Sequence, residues 1–377
     1  MEQKDLLQKK ENLTFRYLYG FGILFVLLSH CDGGGMEFLS NWFHFGAFHL
    51  AIFIFGSGYF FKVENAKNPL KTLWKNVKKL LLPLWGWHIF YGLLILLLQK
   101  FGVSYGVEVN IKNIILYPIC SDNLFALNMG SWFIFPFFMV ITIYVFLKFL
   151  LDFIGKSNVT DLILQVLFVI AGILGIYLAN KGYQTYALLP VFRTLYFMPF
   201  YAIGMWYKKH IEGLHNKTPY IVIALCLLIS LGFHTYFGRS VYVIPSSCDY
   251  PFGVIASYVS ALAGVFFWLT IATLLAGTGK ELKLLKCLGN STFDIMFHQF
   301  LGFFVLNVLY YVLQIANVIH DFDINSFQSS VWYMYCPKGI HEFTFVYVIM
   351  GVVVSLLIKK VRLALGKVFC DFVKKEK

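Results

Sequence analysis

The sequence predicts an all-α, polytopic membrane protein of about ten transmembrane helices with both termini in the cytoplasm. Three observations carry that prediction. Of 377 residues, 59% are hydrophobic and only 13% are charged, whereas soluble domains carry about 45–50% and about 25%. The apolar residues fall into runs of the length that crosses a bilayer. Lysine and arginine then alternate from one side of those runs to the other.

Runs of about 17–25 mainly apolar residues are candidate spans, and they occur at 17–31, 43–61, 81–99, 131–151, 162–180, 194–209, 219–237, 254–276, 292–313 and 342–360. The first lacks a small-residue cleavage site and follows a strongly polar lead-in, so it reads as a retained start-transfer anchor. Pro136 and Pro199 fall inside spans, which membrane helices tolerate because neighbouring helices satisfy the freed backbone groups. On this topology 25 of the 31 Lys and Arg residues lie on the side of the termini and 6 on the other. That bias puts both termini in the cytoplasm; a plasma (inner) membrane is the expected location.

The connections follow from the same count. Residues 1–16 form a cytoplasmic lead-in, 62–80 a basic amphipathic segment at the headgroups, and 361–377 a cytoplasmic tail. The long outer connections are 100–130 and 314–341. With no internal repeat and no soluble segment of domain size, residues 1–377 read as a single membrane domain. The net charge of +12 is accounted for by this sidedness rather than by a nucleic-acid groove, so no nucleic-acid partner is expected; the lipid bilayer is. Cys31, Cys120, Cys248 and Cys336 fall on the outer side, where disulfides are permitted but spacing does not pair them. No Cys/His cluster suggests a metal.

Ionisable groups in a membrane are costly, and each is a functional candidate by default. The stretch "FVLLSHCDGGGM" places His30 at the outer end of the first span, near the water boundary. Tyr19 and Arg16 lie eleven and fourteen residues before it, within about 40° of its helix face and up to about 21 Å along the axis. One stripe therefore links a cytoplasmic guanidinium to an outer imidazole. In the second span, "NWFHFGAFHLAIFIFGSGYFF", His44 and His49 are about 140° apart on a continuous helix. On that geometry only one faces a pocket, and the deeper His49 is favoured. "GSG" at 56–58 signals close helix packing. Trp132 opens the fourth span, Arg193 the sixth, and Arg239 and Asp249 lie in the outer loop "GRSVYVIPSSCDYP". His298 and Asp294 stand one turn apart in the ninth.

Several of these phrases together resemble acyltransferase family 3, the integral-membrane O-acyltransferases, and in particular its fucose 4-O-acetylase-like branch. "YGFGILFVLLSH" is similar to the first-helix pattern of an arginine eleven residues before a catalytic histidine, with Tyr19 in the arginine's place. "FHLAIFIFGSGYFF" resembles the second-helix phrase, with Ala51 where proline is common. "VKKLLLPLWGW" resembles the basic lead-in to leucines and proline, "LGNSTFDIMFHQF" the late Gly-x-Ser/Thr segment ending in His, and Trp132-Phe133 the "WF" helix start.

The resemblance implies an acyl donor, usually acetyl-CoA from the cytoplasm, and an acceptor hydroxyl on a cell-surface or lipid-linked sugar. Acyl-CoA would be a substrate, with no bound cofactor. His30 is then the expected general base, and His49 or Trp132 a donor to the oxyanion. Arg16, Tyr19 and Lys79 are expected on the donor side; Trp132, Arg193 and Asp249 on the acceptor side. Ser29 and Ser57 are conceivable acyl carriers, but direct transfer is favoured because nothing pairs either with a base. Two other classes compete: a transport or amino-acid-uptake module of the same fold, and a non-catalytic flippase-like or scaffold partner in envelope glycan assembly.

Overall fold

The computed structural model describes residues 12–31, 44–106, 108–120, 124–155, 157–185 and 187–375; the Asp32–Gly35 portion of the loop after His30 lies outside them. Eleven helices of nine or more residues are described. They are α1 (Leu13–His30), α2 (Ala51–Tyr59), α3 (Leu82–Gln99), α4 (Ile111–Cys120), α5 (Ile134–Leu151), α6 (Ser157–Asn180), α7 (Leu189–Trp206), α8 (Pro219–Phe237), α9 (Gly253–Gly277), α10 (Thr292–Ile315) and α11 (Phe345–Lys375). No strand occurs among the described residues. The fold is all-α, as the apolar runs predict.

Eight helical stretches are long and apolar enough to cross a membrane. Two expected spans differ from them. Phe45–Tyr59 is shorter and is broken into a turn, Phe45–Phe48, and α2. α7 is not among the eight. It begins at Leu189, with Pro190 in its first turn, earlier than its apolar run suggests, so Arg193 lies inside the helix rather than at its start.

α1 occupies the middle of the bundle. It contacts α2, α9, α10, α11 and the short helix Lys283–Gly289. The contact with Lys283–Gly289 is backbone to backbone: a methyl at Gly289 would fall 1.9 Å from the Arg16 carbonyl oxygen, and one at Gly20 2.5 Å from that of Leu285. α2 and α7 meet just as closely. A Cβ at Gly58 would lie 2.0 Å from Tyr201 O, and one at Gly204 2.0 Å from Phe55 O. Small residues let helices approach where lipid supplies no hydrophobic drive for association, and "GSG" serves that purpose here. By contrast, α8 buries 6% of its span, and lipid is its expected neighbour.

Two polar devices tie the periphery. Lys148, fully buried at the end of α5, meets Asp152 at 2.6 Å and Asp161 at 2.9 Å, and donates to Thr160 at 2.8 Å. A buried ammonium needs such partners, and this cluster clips α5 to α6. In the connection between α10 and α11, Asn307 donates to Tyr333 O (2.9 Å) and Tyr347 Oη accepts from the Tyr335 N–H (2.7 Å). The Tyr335 hydroxyl, and with it the Lys338 N–H, holds the Asp321 carboxyl below its usual range. These bonds fix Trp332 over the end of α1.

Candidate functional site

α1 ends at His30, but its neighbour does not end there. His30 Nδ1 lies 3.1 Å from Gln299 Oε1, and α10 runs on to Ile315, about 24 Å further at about 1.5 Å per residue. The imidazole is therefore at the end of its own helix yet well below the end of α10. The phenyl ring of Phe300 (5.0 Å) and the Trp332 indole (5.9 Å) flank it.

The pairing defines the His30 tautomer. The Gln299 amide N–H donates to Met296 O at 3.3 Å, which turns Oε1 toward His30 and makes Nδ1 the protonated nitrogen. Nε2 keeps its lone pair. Gln299 is itself completely buried, pressed by the 3₁₀ segment Ala126–Phe133. A Cβ at Gly130 would sit 2.7 Å from its Nε2, so only glycine fits there.

A cavity of about 570 Å³ opens beside His30, in the usual range for small-molecule sites. Ile23, Val26 and His30 of α1 form one wall, which is the face predicted to carry the polar stripe. His44, His49, Trp132 and Trp332 also line it. The sequence expectation that His44 and His49 cannot share a pocket fails because helical backbone starts only after His44, which is itself extended (φ −62°, ψ 123°). His44 precedes the turn Phe45–Phe48 as its N-cap, so a 140° offset on one helix does not apply.

The turn also engages one nitrogen of each ring. His49 Nδ1 meets its own Phe45 O at 2.5 Å and so carries the proton, while His44 Nδ1 accepts the Gly46 N–H at 3.1 Å.

The other predicted residues distribute as follows. Trp132 is buried in the cavity wall rather than anchored at a membrane surface. Arg193 stands behind it, its guanidinium 5.1 Å from the indole centroid and its Nε donating to Ser246 O at 2.8 Å. Ser246 and Ser247 line the cavity too. Asp249 is exposed and outside the wall; its backbone exchanges hydrogen bonds with Ile244 at 3.0 and 3.1 Å.

Tyr19 is half-buried below the cavity. Its hydroxyl covers Gly56, where a Cβ would lie 2.1 Å from it, and its ring lies 5.8 Å from that of Phe53 in the wall. Arg16 is half-buried one turn further along. Lys79 is exposed on the π-helical segment Val77–Leu81, which packs on α5 and α3 rather than on α1.

His298 and Asp294 are not brought to the cavity. His298 Nδ1 lies 2.6 Å from the Tyr91 hydroxyl, and Asp294 pairs with Arg362 at 2.7 Å. Sequence reasoning missed Gln299 and Trp332. An uncharged amide within an apolar run was a signal for the first; nothing in the outer connection singled out the second. Among the described residues no group of three His, Cys, Asp or Glu side chains is placed to hold a metal.

Comparison with curated proteins and with solved structures gives no significant match. The family model for an acyltransferase domain, acyltransferase family 3, matches residues 13–363, from the first residue of α1 to the later part of α11 and across every residue of the cavity wall. The chain belongs to acyltransferase family 3.

Proposed function

We propose that the protein is a membrane O-acyltransferase that moves an acyl group, acetyl in the first instance, from cytosolic acyl-CoA to a hydroxyl of a cell-surface or lipid-linked sugar. The observation that carries this reading is His30 on the cavity wall, held by Gln299 behind it. A sugar hydroxyl is a poor nucleophile until a positioned base takes its proton, and imidazole suits that task near neutral pH. With Nδ1–H held by Gln299, Nε2 is the basic atom.

In the step proposed, Nε2 of His30 takes the hydroxyl proton while the oxygen forms its bond to the thioester carbonyl carbon. The carbonyl electron pair moves to oxygen. When it returns, the C–S bond breaks and the thiolate leaves, taking the proton back from His30. Direct transfer needs no acyl-enzyme.

Arg16 and Lys79 are the cations assigned to the CoA phosphates, and Tyr19 the residue between that end and the cavity. His49, Trp132 and the Ser246–Ser247 backbone are assigned to the acceptor end. Arg193 acts there through Trp132 and Ser246 as a positioning residue, and Asp249 would meet only parts of an acceptor that extend beyond the wall. Both termini are placed in the cytoplasm of an inner-membrane protein.

The test is free-CoA release from acetyl-CoA by detergent-solubilised wild type and His30→Ala, with and without cell-envelope glycans. Release that needs both His30 and glycan is the expected result. Donor binding with no release in any condition would call for a different acceptor. Absence of donor binding would overturn the enzyme reading in favour of transport.

A further inference from the structure

The three histidines that line the cavity do not carry their hydrogen on the same nitrogen. A neutral imidazole has one N–H and one lone pair. His30 and His49 each use the Nδ1–H on a carbonyl-type oxygen, so each offers a lone pair at Nε2. His44 is the reverse. Its Nδ1 accepts the Gly46 amide proton, so its hydrogen is on Nε2, the far edge of the ring. The fit is close: a Cβ at Gly46 would come within 3.0 Å of that Nδ1. Tyr242 flanks the His44 ring at 5.5 Å and lines the same cavity.

We propose that His44 is the hydrogen-bond donor to the oxygen on which charge develops during acyl transfer, presenting Nε2–H because its own backbone occupies Nδ1. The assignment rests on the acyl-transfer reading and completes it. His30 supplies the base and His44 a donor whose direction is set before substrate arrives, the condition under which such donors accelerate a reaction. The donor keeps its proton throughout. The oxyanion accepts the hydrogen bond, the electron pair returns to the carbonyl, and only His30 gains and loses a proton.

A simple capping role for His44 makes a different prediction, and the two separate by substitution. Asn and Ser are both good N-caps. His44→Asn and His44→Ser therefore keep an acceptor for the Gly46 N–H, while their own donors, the Asn amide and the Ser hydroxyl, lie nearer the backbone and fall short of the Nε2 position. His44→Gln retains an amide donor at about the reach of Nε2. Melting temperature and acetyl-CoA binding establish that each variant is folded and loaded; free-CoA release with glycan gives kcat and KM.

The expected result is a fall in kcat on the order of 100-fold for the Asn and Ser variants, with KM for acetyl-CoA and melting temperature little changed, and partial recovery in the Gln variant. Wild-type kcat in a folded Asn or Ser variant would overturn the assignment while leaving the acyltransferase reading intact. So would a Gln variant as slow as the other two although folded. A wild type that neither binds donor nor releases CoA would overturn both readings together.

Discussion

At the scale of single residues, the site is defined by which nitrogen each imidazole has already committed. Gln299 makes this concrete. Its Oε1 fixes the His30 tautomer, and its own amide is held by Met296 O. Gln299→Ala is expected to lower kcat about 10–100-fold, the scale of losing an orienting partner, with acetyl-CoA affinity unchanged. Gln299→Glu, which keeps the acceptor, should recover part of the loss and shift the pH–rate profile upward, because a carboxylate favours protonated His30. Equal loss in both variants with an unmoved profile would reduce Gln299 to packing. Little of this was legible in the sequence. Successive helix residues point about 100° apart, so only one of His298 and Gln299 faces α1, and a lone chain gives no phase by which to choose. The more conspicuous histidine turned out to face Tyr91.

At the scale of elements, eight of the ten expected spans were legible because lipid imposes one rule along the whole chain: apolar length. Packing within that rule was legible only where glycine marks it. Gly58 and Gly204 bring α2 and α7 to backbone contact. Gly204→Val should therefore destabilise the protein by about 1–3 kcal/mol or more, seen as a lower unfolding temperature in detergent; an unchanged transition would mean that the two helices do not meet this closely. The start of helical backbone after His44 could not be read. No proline marks it, and hydropathy continues through "FHFGAFHLAIFIF" without a gap. An apolar run fixes that a segment is buried in lipid or protein, not where its helix starts, and the incorrect separation of His44 from His49 came from assuming that the helix already ran through His44. The early start of α7 has a similar source, since Arg193 is made tolerable by Trp132 and Ser246, partners distant in sequence.

At the scale of the molecule, the charge distribution makes a prediction that does not depend on the reaction. The expected ten-span topology puts 25 of 31 basic residues on one side; on that topology the loop at Arg239 should face away from the cytoplasm and the segment at Lys209 toward it. In a cysteine-free background and intact cells, an impermeant maleimide should label Arg239→Cys and spare Lys209→Cys until the membrane is opened. The opposite pattern would invert the bundle and, with it, the direction from which the donor enters.

The turn that follows His44 has one more effect. The first N–H groups of a helix have no partner within it; here His44 takes one of them, from Gly46, and His49 adds a second bond to a Phe45 carbonyl that already accepts the His49 backbone N–H. The main chain, rather than any ligand, thus chooses which ring edge carries hydrogen. On the acyl-transfer reading, replacements elsewhere on the cavity wall would then change what is held without changing which way protons run, so such a site could diversify its acceptors while keeping one chemistry.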